Sequence, residues 1–263
     1  MIRTVLVLSA LASLAACASP ATRIDRAAAR AGLAREIVQG TDFRHVVYTR
    51  AAARDSTWTV FLESDGLTWV NGRVPASDPT THDPLALQLM MQSSEPALYV
   101  SRPCYHELMD AGCNWQLWTL ARYSPRVVDS MVAVIDTKLR AVDAKRVRLV
   151  GYSGGGALAV LVAERLLNVE AVITIGANLD IDAWTMHHGY LPLEGSLNPA
   201  QSSRPHPWLE IHLQGARDDV VPPATTSAYF ERYPSARRLT FADYDHTCCW
   251  LRDWEQLRAR IGE

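Results

Sequence analysis

Three side chains could together attack a carbonyl carbon. Ser153 stands in the run Leu149-Val-Gly-Tyr-Ser-Gly-Gly-Gly-Ala-Leu-Ala-Val160, with Gly151 two residues before it and Gly154 directly after. A serine hydroxyl is a weak nucleophile until a base takes its proton, and the base works best when an acid fixes its tautomer. Downstream, Asp218 lies in Gly215-Ala-Arg-Asp-Asp-Val-Val-Pro222 and His246 in Tyr244-Asp-His246. The order serine, acid, histidine supplies a nucleophile, an orienting carboxylate and a general base. Glycine clusters have a second use, which is to cradle phosphate. A dinucleotide turn spaces its glycines G-x-G-x-x-G and ends the next strand on an acidic residue. Counted from Gly151, the middle position is Ser153, and Glu170 opens the next strand instead of ending it. The phosphate reading fails on both counts.

The elements that must hold these residues follow from the hydrophobic pattern. Strands are expected over 44–50, 57–63, 97–101, 146–150, 170–176, 208–213 and 238–242, and helices over 84–92, 125–142, 155–167, 223–232 and 250–261. Pro125 suits a first helical position. Apolar strands alternating with helices predict an α/β protein with a mostly parallel central sheet and helices on both faces. Ser153, Asp218 and His246 each follow a strand, at the edge where open parallel sheets bind ligands. Ser153 also precedes a helix, whose first N–H groups and dipole favour a developing anion. Asp219, one residue past Asp218, is expected to bond backbone N–H groups of the same turn. Residues 177–207 carry no strand pattern and read as a small cap, with Asp180, Asp182, Trp184, His187 and His188 as candidates for a pocket wall. His45 and His212 fall within strands and read as surface or hydrogen-bonded core residues, while His82 and His106 fall in loops. Trp115 and Trp118 are expected to pack near Cys104 and Cys113.

From Arg44 onward the chain resembles an α/β-hydrolase. Gly151-x-Ser153-x-Gly155 matches the turn that carries the nucleophile, Gly215-x-x-Asp218-x-x-Val221-Pro222 the turn that carries the acid, and His246 the late base. Phe61-Leu-Glu-Ser-Asp-Gly66-Leu67 sits where an oxyanion loop follows an early strand, with Asp65-Gly66 in place of the usual His-Gly. With its Pro-Cys-Tyr and His-Thr-Cys-Cys-Trp segments, the chain is similar to uncharacterised lipoprotein hydrolases of proteobacteria. The resemblance implies an α/β-hydrolase domain over 43–263, with Ser153 as nucleophile, His246 as base and Asp218 as acid. It implies an oxyanion hole built from the N–H groups of Gly154 and of Leu67 or its neighbour. The expected reaction is hydrolysis of a carboxylic ester or related acyl bond in a small-molecule or lipid substrate, with no metal and no organic cofactor. Peptidases and acyltransferases use the same constellation, and a non-catalytic envelope lipoprotein of this fold is the alternative from another class.

Composition bounds the rest. The chain has 263 residues, 48% hydrophobic and 21% charged, which suffices for one domain with a sizeable core. A formal charge of -2 argues against a nucleic-acid partner. Arg3 is followed by an apolar run ending Leu14-Ala-Ala-Cys17, the shape of a secretory signal peptide over 1–16. The small residues before Cys17 resemble the lipobox of bacterial lipoproteins. That implies cleavage before Cys17, a lipid on its sulfur, and a membrane anchor in the bacterial cell envelope. Ala18 after it points to the outer membrane, facing the periplasm. The competing readings are a plain signal peptide cut near Ala18 and an uncleaved anchor. Residues 17–42, rich in Ala and Arg, read as a lipidated tether with some helix. Export permits disulfides, and four further cysteines allow three pairings. Cys104 with Cys113 closes a short loop and is the first choice. Cys248 and Cys249 are expected to stay reduced or to reach the other two, because a bridge between neighbours is strained. No CxxC spacing supports a zinc site.

Overall fold

The computed structural model describes residues 18–51 and 57–262, so Cys17 and the expected signal peptide lie outside the described residues. In chain order come helix α1 (Pro20–Arg30), strands β1 (Ala34–Gln39), β2 (Arg44–Arg50), β3 (Thr57–Leu62), β4 (Trp69–Val70) and β5 (Val74–Pro75), helix α2 (Leu85–Gln92), strand β6 (Ala97–Val100) and helix α3 (Pro125–Ala141). Then follow β7 (Arg146–Tyr152), α4 (Gly154–Ala163), β8 (Val169–Ile175), α5 (Ile181–His188), β9 (Leu209–Gly215), α6 (Ser227–Arg232), β10 (Arg237–Phe241) and α7 (Trp250–Ile261).

One sheet takes the order β1-β2-β6-β3-β7-β8-β9-β10, and β4 and β5 form a separate small hairpin. From β6 to β10 every neighbour is parallel; β2 on β6 and β1 on β2 are antiparallel. The period-two alternation of the strands divides the core. Val47, Val60, Leu62 and Leu149 pack under α3 and α4, while Val46, Phe61, Val150 and Ile173 pack with α1, α2 and α7 on the other face. Helix α4 is buried at every one of its ten residues, which is why its sequence is uniformly apolar instead of amphipathic. It stops at Ala163, four residues before the expected end.

The stretch expected as a tether is instead built into the fold from Pro20 onward. Ala21, Ile24 and Ala28 make a buried stripe at helical spacing on α1, Ser19 caps the helix through Thr22 N–H, and β1 pairs with β2 along its whole length. The stripe uses alanine and one isoleucine between arginines, so its periodicity is faint in the sequence. Both cysteine pairs are closed. Cys104 bonds Cys113, as expected. Cys248 bonds its neighbour Cys249 across a cis peptide, instead of staying reduced or reaching the other pair.

Candidate active site

Ser153 is the single residue between β7 and α4, and it is held at φ 55°, ψ -123°. A positive φ on a residue with a side chain is strained, so the surroundings must enforce it. The enforcement is close packing: a Cβ on Gly151 would lie 2.3 Å from the Gly155 carbonyl oxygen, and one on Gly155 would lie 2.2 Å from the Leu62 carbonyl oxygen. The glycines therefore let α4 start directly against β7 and β3, which lifts the serine hydroxyl above the sheet edge.

His246, in the loop between β10 and α7, reaches that hydroxyl. Its Nε2 is 3.0 Å from Ser153 Oγ, and its Nδ1 is 2.8 Å from Asp218 Oδ2. Asp218 follows β9 and is buried; its other oxygen accepts from Val220 N–H at 3.0 Å and Val221 N–H at 2.7 Å. The turn amides expected to serve Asp219 are thus taken by Asp218, and Asp219 is exposed. With the serine on one ring nitrogen and a carboxylate on the other, the arrangement can move a proton off Ser153 while Asp218 steadies the imidazolium.

The oxyanion donors divide. Gly154 opens α4, so its N–H has no helical acceptor and is free for an anion. Leu67, expected as the second donor, is not free: its N–H donates to the Pro79 carbonyl at 3.0 Å. In the same loop, Ser64 N–H is taken by Glu63 Oε1 at 2.9 Å, whereas Asp65 N–H has no acceptor among the described residues. Burial pushes the Glu63 carboxyl up to about 7 despite the N–H groups of Ser64 and Ala86 bonded to it.

Asp65 carries a cluster that the pattern of motifs did not signal. Arg122 Nη1 donates to Asp65 Oδ2 at 2.7 Å, Tyr123 OH to the same oxygen at 2.8 Å, and Arg102 Nη2 lies 2.6 Å from Oδ1. Burial alone would raise this carboxyl, but the two guanidiniums hold it below the usual range. The carboxylate presses on the serine turn, since a Cβ on Gly154 would come 2.0 Å from Asp65 Oδ1. Arg102 and Arg122 are far apart in sequence, in irregular segments with no periodicity to read, so only the fold brings them together.

Ser153 and His246 sit in a cleft of about 880 Å³. Trp69 of the hairpin, Leu85, Leu120, Arg122 and Asn178 line it, with Trp184, Tyr190, Leu191 and Leu193 closing one side. Of the cap candidates, Trp184 alone lines the cleft. His188 and Trp184 both hold the Val220 carbonyl, at 3.0 and 2.7 Å. Asp180 caps α5, Asp182 accepts from Asn198 and Gln201, and His187 stacks edge-on against His188. His45 and His212 are hydrogen-bonded core residues, and His106 is buried.

The parallel sheet, the strand-to-helix turn at Ser153 and helices on both faces define the α/β-hydrolase fold. Solved structures agree. The chain superposes on an esterase of Pyrococcus furiosus with a TM-score of 0.63 at 12% identity, covering 89% of this chain and 90% of that one. It matches a serine hydrolase without a lid from Xanthomonas campestris with a TM-score of 0.53 at 14% identity, covering 87% and 91%. An acylaminoacyl peptidase is matched over 88% of this chain and 41% of its own length, with a TM-score of 0.59 and 12% identity. At such identities the likeness is one of fold. No family model matches the chain, and a search of curated proteins finds no match.

Proposed function

We propose that the protein is a serine hydrolase that cleaves a carboxylic ester or related acyl bond through an acyl-enzyme. The observation that carries this is the continuous line from Ser153 Oγ through His246 to Asp218, with Ser153 and His246 lining the cleft. His246 Nε2 takes the hydroxyl proton as Ser153 Oγ bonds the carbonyl carbon. The oxyanion that forms is held by Gly154 N–H, with the unengaged N–H of Asp65 as the second donor. The imidazolium then gives its proton to the leaving oxygen or nitrogen, the bond to that group breaks, and water deacylates the enzyme by the same path. The apolar walls suit an acyl chain of a small molecule or lipid. No metal or organic cofactor is needed for any step. Peptidase or acyl-transfer chemistry would use the same groups, with only the leaving group or acceptor changed.

A fluorophosphonate probe should label the wild type, and Ser153→Ala should lose both labelling and turnover, the latter by roughly 10⁴ to 10⁶. Undiminished ester hydrolysis by Ser153→Ala would refute the assignment. We also propose that the mature chain is lipid-anchored through Cys17 in the cell envelope, on the strength of Leu14-Ala-Ala-Cys17. Cys17→Ser should move the protein from the membrane to the soluble fraction, because acyl chains supply the anchor. An unmodified Cys17 in the mass spectrum of the mature wild type would exclude this.

A further inference from the structure

Two guanidiniums and one carboxylate meet beside the reacting serine, and the charges do not cancel. Arg102 and Arg122 are 3% and 5% exposed, so both positive charges are out of water. Among the described residues, Asp65 is the one carboxylate they share. The phenols that complete the shell, Tyr105 and Tyr123, are pushed up by burial and stay neutral. Tyr123 also places its ring under Arg102, 5.4 Å from the guanidinium. One positive charge is left over, and a buried charge without a counter-charge is costly.

The surplus has an outlet. Arg122 lines the cleft with Ser153 and His246. Its Nε donates to the Thr119 carbonyl at 2.5 Å and its Nη1 to Asp65 at 2.7 Å, leaving Nη2 with no partner among the described residues. Held on two nitrogens, the guanidinium cannot swing out to solvent, and it belongs to a residue that lines the cleft. The other charged groups lining the cleft are exposed: Arg73, and Asp83, whose Oδ1 is occupied by Gln88 at 2.7 Å. Neither neutralises the buried cluster.

We propose that Arg122 Nη2 is a binding subsite for a carboxylate carried by the substrate, so that the enzyme prefers acyl esters bearing one negative charge close to the scissile bond. The surplus is one charge, which a carboxylate matches and a phosphate monoester exceeds. Trp69, Leu120 and Leu193 on the cleft walls take the apolar carbons between carboxylate and ester. This rests on the hydrolase reading for the position of the scissile bond.

Binding can be read without turnover in Ser153→Ala protein by isothermal titration calorimetry. Monoethyl glutarate, with its anion in the acyl half, is compared with ethyl pentanoate; 4-acetoxybutyrate, with its anion in the alcohol half, is compared with butyl acetate. One anionic probe should bind about tenfold to a hundredfold tighter than its neutral partner, the range of a charge-assisted hydrogen bond. Which pair shows the preference tells which half of the substrate carries the charge. Arg122→Gln in the same background should bring that ratio close to one. Asp65→Asn should raise it, because it removes the competing carboxylate; damage to the loop alone would lower it or leave it unchanged. If Arg122→Gln does not fold, Arg122→Lys, which keeps the charge and loses the fork, should lower the ratio part of the way. Equal or undetectable binding within both pairs, or a ratio that Asp65→Asn lowers or leaves unchanged, overturns the subsite. Wild-type hydrolysis of 4-nitrophenyl butyrate separates the two readings. Neutral-ester hydrolysis with no anion preference sinks the subsite alone, and anion binding with no ester hydrolysis sinks the hydrolase reading alone.

Discussion

Asp218 and Asp219 differ by one position and by everything that matters for a proton relay. Asp218 is buried, gives one oxygen to His246 and the other to two backbone N–H groups. Asp219 is exposed. On the proposed reading, Asp218→Asn should keep the shape but favour the wrong imidazole tautomer, a defect of about 10⁴ in kcat where the same constellation has been dissected in serine proteases. Asp219→Asn should stay within a few-fold of wild type. Measuring kcat for both on one activated ester decides the assignment: a crippled Asp219→Asn beside a near-normal Asp218→Asn would reverse it.

At the scale of elements, the site is a junction where β3, β7 and α4 meet closer than side chains allow. Gly155 marks the contact, with space for a hydrogen but none for a methyl before the Leu62 carbonyl. The obstacle is backbone in the central strand of the sheet, which cannot step aside. Gly155→Ala should therefore destabilise the protein by about 3 kcal/mol, the upper range for overpacking. It should also lower fluorophosphonate labelling, because α4 must retreat and carry Gly154 with it. A urea-unfolding midpoint equal to wild type would show that the junction is looser than this geometry.

Across the whole molecule, stability should peak near neutral pH because buried histidines pull in opposite directions. His206 touches Glu164 at 3.2 Å and Glu210 at 2.6 Å; burial opposes its charge, yet these bonds raise its pKa to about 9. A raised pKa contributes stability that is complete below the unfolded value of about 6.5 and is lost as pH climbs through 9. His45 and His106 behave oppositely: burial lowers each to about 4, so the unfolded chain binds protons first and stability falls as pH drops below about 6.5. Glu63, raised to about 7, offsets one of these two over part of the acid range. The thermal midpoint should be highest near pH 6.5, and His206→Gln should flatten the alkaline limb while leaving the acid limb in place. An alkaline limb unchanged in that variant would assign it to other groups.

The sequence alone settled what depends on local pattern. The order of strands and helices and the Gly-x-Ser-x-Gly turn around Ser153 were legible because each rests on periodicity or on a short spacing that a tight turn requires, while Asp218 and His246 were picked out through the resemblance to the order and acid turn of α/β-hydrolases. The Cys104–Cys113 pair was legible for the same reason, since the loop it closes is short. What rests on distant contacts was not. Leu67 looked free until the Pro79 carbonyl was folded onto its N–H, and the packing of α1 was hidden because a stripe of alanines shows its worth only against a sheet. Pairing of Cys248 with Cys249 lay beyond spacing arguments, which count against bonding neighbours. The two arginines on Asp65 come from irregular segments, where no period connects residue type to place. Tertiary structure decided these because a hydrogen-bond donor is free or taken, and a charge paired or surplus, according to what the rest of the chain packs beside it.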